Sequence, residues 1–151
     1  MSATSNIPNA YPPEADEFLQ LYRKVEAALS SHSKFLVKNK KKASVDWSAF
    51  GNSLGDSFLS DVRQSGQAAE LLAEPPRAKH SDQTWQPAKQ TKINNIAELF
   101  VRGVCQVRHN IEHSGKFLEP EEKRSFELLH GAFWILSEAV TRHADLKHLI
   151  K

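Results

Sequence analysis

The sequence predicts an all-α fold, an up-and-down bundle of four or five helices, and three observations carry that expectation. Apolar residues recur at intervals of three and four along several stretches, the period of one helix face. No stretch alternates apolar and polar residues as a half-buried strand would. Proline and glycine mark the ends of the periodic stretches, as at Pro75-Pro76, Gly115 and Pro120.

Taken in order, residues 1–13 hold Pro8, Pro12 and Pro13 among small polar residues, and read as a flexible tail that buries too little surface to offset its ordering entropy. Residues 14–151 then form one helical domain. From Glu14 to about Val37, Phe18, Leu21, Tyr22, Val25, Ala28 and Leu29 form a stripe, with acidic residues first and basic ones later. The lysine-rich stretch should end that helix. Residues 45–51 read as a short turn of helix or an irregular segment, with Trp47 and Phe50 packed inward. A second helix is expected from about Ser53 to Ala73, weakened by Gly66 and stopped by Pro75-Pro76. A loop follows to Gln90.

The strongest signal starts at Thr91, a plausible N-cap, and carries Ile93, Ile96, Phe100, Val104, Val107 and Ile111 at spacings of 3, 4, 4, 3 and 4. Ser114-Gly115 should close it, since glycine adopts the left-handed cap without steric cost. The next helix begins near Pro120, with Glu121 and Glu122 on the positive end of its dipole. Its expected stripe is Phe126, Leu129, Phe133, Leu136 and Val140, widened by Trp134 and Ile135. The short connection between these two helices predicts that they pack antiparallel.

Composition narrows the function classes. A chain of 151 residues suits one hydrophobic core. The net charge of +2 falls well short of a nucleic-acid packager, although Lys34, Lys38, Lys40, Lys41 and Lys42 cluster locally. The single cysteine, Cys105, and an N-terminus without a basic and apolar leader predict an intracellular, cytoplasmic protein. No apolar run is long enough to span a bilayer, so no membrane is expected as a home.

Laid out at about 100° per residue, Glu98, Arg102, Cys105, Arg108, His109, Glu112 and His113 fall on the arc away from the central helix's apolar stripe. Four of them crowd its last turns. Arg offers a fixed guanidinium fork for phosphate oxygens, and His exchanges protons near neutral pH. His109 and His113, at i,i+4, also make half of a zinc site. No third ligand is near in sequence, and the His-Glu-x-x-His order is absent. No metal or cofactor is therefore expected.

The segment Val107-Arg108-His109-Asn110-Ile111-Glu112-His113-Ser114-Gly115-Lys116 resembles the R-x4-6-H motif of the HEPN superfamily, the higher eukaryotes and prokaryotes nucleotide-binding domains. Arg108 and His113 match the invariant pair, His109 the polar position after Arg, Asn110 the usual amide, and Ser114-Gly115-Lys116 the Gly-rich exit. Glu112 departs from the pattern, which commonly has an apolar or aromatic residue before the His. Beyond these ten residues the match is one of helical architecture, over roughly residues 14 to 142.

The resemblance implies a metal-independent endoribonuclease in which the ribose 2′-hydroxyl attacks the adjacent phosphate. Arg108 would stabilise charge on the phosphate oxygens and His113, at a helix C-terminus, would act as general acid. His109, Asn110 and Glu112 would support them. One chain supplies a single Arg-His pair, so the resemblance implies a homodimer with a composite cleft. Lys38, Lys40, Lys41, Lys42 and Lys116 would bind RNA backbone. Many family members act as toxins beside a nucleotidyltransferase-like antitoxin or in defence. The alternative is a non-catalytic HEPN-like module that binds a nucleotide, RNA or a partner protein. Glu112 favours that alternative, because it stands four residues from Arg108 and can neutralise it.

Overall fold

A computed structural model of the chain describes residues 13–31, 35–37, 44–77, 91–113, 122–143 and 146, with the side chains of His113 and Glu122 outside that set. The described residues are mostly helical and include no β-strand; one isolated antiparallel bridge joins Leu36 to Val45. The tail 1–12, Lys34, Lys38, Lys40, Lys41, Lys42, Lys116 and the Ser114-Gly115 exit lie outside the described residues.

Helix α1 spans Pro13–Ser30 and buries Ala15, Phe18, Tyr22, Val25 and Leu29, one residue per turn along a single face. It stops earlier than the expected Val37. Ser30 and Ser31 turn their hydroxyls back onto the carbonyls of Glu26 and Ala28, and Phe35 to Val37 leave the helix to pair with residues 44–46. In that pairing the Val37 amide donates to the Ser44 carbonyl at 2.9 Å and the Asp46 amide to that of Phe35.

Asp46 then caps α2 (Trp47–Leu54), its carboxylate accepting from the Ala49 amide at 3.0 Å. The helix expected over 53–73 is three pieces: the end of α2, then α3 (Asp56–Ser65) and α4 (Ala69–Ala73). Gly55 at φ 84 and Gly66 at φ 73 separate them, in the left-handed region where only glycine is unstrained.

The central helix begins with α5 (Ile96–Glu98), and its cap is Asn95, not Thr91. The Asn95 side chain accepts from the Glu98 amide at 2.9 Å and the Glu98 carboxylate accepts from the Asn94 amide at 3.0 Å. Ile93 precedes the helix, buried, with its amide on the Leu72 carbonyl. Thr91 is held instead by Arg102, which donates to its carbonyl and hydroxyl. A π-helical segment, Leu99–Val104, follows, and the Cys105 amide donates to the Phe100 carbonyl five residues back. Regular α6 (Cys105–His113) completes the element.

Last comes α7 (Glu122–Arg142). Its buried face is Leu128, Leu129, Ala132, Ile135, Leu136, Ala139 and Val140, while Phe126 is exposed and Phe133 and Trp134 are only half-buried. The expected stripe is thus rotated toward small residues. They let neighbours come close: a Cβ on Gly131 would lie 3.2 Å from the Ala68 backbone. Helix α7 packs against α1 and α4 and touches the π segment and α6.

The core is aromatic at its centre. Phe100 meets Phe50 at 5.3 Å, Phe58 at 6.1 Å and Trp47 at 6.4 Å between ring centroids, which ties α2 and α3 to the π segment. Among the described residues, no helix is long and apolar enough to cross a membrane.

Candidate functional site

The motif residues part company around α6. That helix is regular, so about 100° per residue holds across it. Arg108 and Glu112 lie one turn apart on the same side, and His109 is next to them. Asn110 falls on the opposite, inward side. Position 113 is about 140° round the axis from Arg108.

Arg108 is fixed from two directions. Its guanidinium carbon lies 5.1 Å from the centroid of the Tyr22 ring, a cation-π contact between α6 and α1. Its Nε is 3.3 Å from Glu112 Oε1, an ion pair whose alignment falls short of a hydrogen bond. That Nε is buried without a hydrogen-bond partner among the described residues. A buried guanidinium nitrogen is costly to leave unbonded.

Arg108 and His109 open onto a groove of about 470 Å³ between α6, α1 and the start of α2. Tyr22 and Glu26 come from α1, Ser44, Val45 and Trp47 from the segment entering α2, and Cys105 and Gln106 from α6. Tyr22 and Trp47 face each other at 4.9 Å and form its base. Ser44, which lines the groove, accepts from the Val37 amide, and these two residues flank the lysine-rich stretch in sequence.

At the groove floor the Tyr22 hydroxyl donates to Cys105 Sγ at 3.4 Å. Burial pushes the Cys105 thiol up to about 12, against the smaller opposing effects of the Tyr22 hydrogen bond and the Arg108 charge. Burial likewise pushes the Tyr22 phenol up, helped by Cys105. Both groups are protonated at neutral pH. Cys105 is therefore a poor nucleophile.

No family model, curated protein or solved structure matches the chain.

Asn110 is a buried strut. Its Nδ2 donates to the Arg77 carbonyl at 2.9 Å and its Oδ1 accepts from Gln106 Nε2 at 2.8 Å. It thereby ties α6 to the segment after Pro75-Pro76. Arg124, which sequence patterning gives no reason to single out, holds the same segment from α7. It donates to the carbonyls of Glu74 at 2.8 Å and Pro75 at 3.1 Å, and pairs with the Glu70 and Glu74 carboxylates.

His109 is exposed at the groove's edge. His113 is the last residue of α6. Among the groove residues that sequence reasoning did not tie to the motif are Glu26 and Tyr22 of α1. The available signal was weak: they stand four apart at the edge of the α1 stripe, and only packing brings that edge to Arg108. Among the described residues no three His, Cys, Asp or Glu side chains converge as metal ligands.

Proposed function

We propose that the chain is a HEPN-type, metal-independent endoribonuclease whose site is built on Arg108 and His113. The observation that carries this reading is the placement of Arg108: held against Tyr22, at the wall of an open groove, with only its Nε engaged by Glu112. A phosphodiester reaching the groove meets a preoriented cation, which is the requirement for stabilising charge that builds on phosphate oxygens. The lysine-rich stretch, which adjoins the groove residue Ser44 in sequence, would add attraction for RNA backbone.

In this reading the 2′-hydroxyl attacks phosphorus, the bond to the 5′-oxygen breaks, and His113 protonates the leaving oxygen, giving a cyclic phosphate and a free 5′-hydroxyl. Positions 108 and 113 lie about 140° apart on one helix, so the reading includes a second copy that brings its own His113 to this Arg108. In this reading the chain would act as a toxin of a toxin-antitoxin or defence system, with a nucleotidyltransferase-like antitoxin as the partner.

The test is cleavage of labelled RNA in EDTA by the intact chain, by Arg108→Ala and by His113→Ala. Loss in both variants, a cyclic phosphate end, and restored activity on mixing the two variants are expected. Unchanged cleavage in both variants refutes the assignment. The Arg108-Glu112 ion pair favours a second reading, a non-catalytic HEPN-like module that binds a nucleotide, RNA or partner protein. It predicts Arg108-dependent binding of RNA without cleavage.

A further inference from the structure

We propose that Glu26 of α1 is a further catalytic residue of the Arg108 groove, the general base that removes the proton from the attacking 2′-hydroxyl. The proposal rests on the ribonuclease reading above and adds the group which that reading leaves out.

Two observations converge. Glu26 lines the groove together with Arg108, from the facing helix. Glu26 is half-buried as a residue, and its carboxylate accepts no hydrogen bond and makes no ion pair among the described residues. An ionised carboxylate is an acceptor only, and one without a protein donor is open to accept a hydrogen bond from a ligand. The charges of Glu26 and Arg108 both act on the Tyr22-Cys105 pair at the groove floor, with opposite sign. The acceptor and the phosphate clamp therefore flank one place. Among the described residues, the other titratable or charged groups lining it are Tyr22, Cys105 and His109.

A groove of about 470 Å³ is of the size that takes a small ligand. With a phosphate on Arg108, the ribose that carries the 2′-hydroxyl lies between the clamp and Glu26. The proton passes from the 2′-oxygen to the carboxylate, the 2′-oxygen bonds to phosphorus, and the 5′-oxygen leaves with a proton from the His113 imidazolium. Glu26 ends protonated and His113 neutral, and exchange with water restores both.

The experiment uses the full chain and a labelled RNA oligonucleotide, beside the same oligonucleotide with one 2′-deoxy linkage. Glu26→Gln should cut the rate about 100-fold or more, the usual worth of a general base, while binding the 2′-deoxy oligonucleotide at least as tightly as the natural chain. Added formate should restore Glu26→Ala at least about tenfold by standing in for the lost carboxylate, and should do nothing for Arg108→Ala. A purely structural Glu26 would not respond to formate. Glu26→Gln cleaving at the natural rate, with Arg108→Ala and His113→Ala inactive, overturns the role of Glu26 and leaves the ribonuclease reading standing. A folded Glu26→Ala that formate does not rescue has the same meaning. No cleavage by the natural chain overturns both.

Discussion

The guanidinium of Arg108 lies over the ring of Tyr22, 5.1 Å from its centroid, and that contact places the motif's cation against the first helix. Glu112 holds the same guanidinium at its Nε, 3.3 Å away. A phosphate must compete with that carboxylate. Glu112→Gln should therefore tighten RNA binding by up to about fivefold, the effect of an ion pair worth up to about 1 kcal/mol. Fluorescence anisotropy with a labelled RNA reads the change, and weaker binding would show that Glu112 assists the site.

The Tyr22-Cys105 pair sets an alkaline limit on stability. Burial raises the thiol from near 9 to about 12 in the folded chain. The folded state thus holds the proton that the unfolded state gives up. This contribution is complete below pH 9 and is lost as the pH rises toward 12, by at most about 1.4 kcal/mol per pH unit. Tyr22 acts in the same direction. Urea midpoints should fall across this window, and less steeply in Cys105→Ala.

Asn110 should matter to folding more than to chemistry. Its amide is 1% exposed and bonded at both ends. Asn110→Ala removes the donor to the Arg77 carbonyl at a cost of about 1–3 kcal/mol. Asn110→Asp should cost more, since a carboxylate would then face that carbonyl. Denaturant titration ranks the two variants.

Gly51 separates packing from backbone strain. A Cβ there would lie 2.9 Å from Phe100 Cδ2 and 3.0 Å from the Ile96 carbonyl oxygen. Phe100 can shift but the carbonyl belongs to the first turn of the central helix. Gly51→Ala should lose about 1–3 kcal/mol by overpacking, outweighing the gain of about 1 kcal/mol in helix propensity. At Gly55, with φ 84, ψ 164 and nothing within 4 Å of an added Cβ, the Ala variant should lose only the cost of an extended positive-φ conformation that glycine alone takes readily, about 1–3 kcal/mol. Thermal unfolding of the two variants compares the mechanisms.

The sequence by itself determined the helices and the face that most of them bury. In the central helix every residue that the three-four spacing selects is buried, and in α1 most are, Leu21 and Ala28 being only partly so, because burial of one face is what such a period encodes. It also determined the order Arg108 to His113, and hence that Arg108, His109 and Glu112 share one side of a regular helix while Asn110 turns inward. Only the tertiary structure decided where helices break, since Gly55 and Gly66 act through backbone conformations that neighbours make necessary. It decided which side of α7 is buried, because close approach of Ala68 at Gly131 outweighs the larger apolar residues. It alone brought Tyr22 and Glu26, some eighty positions away, to Arg108. Periodicity records which face of a helix leaves water, and it carries no record of which other helix will meet that face.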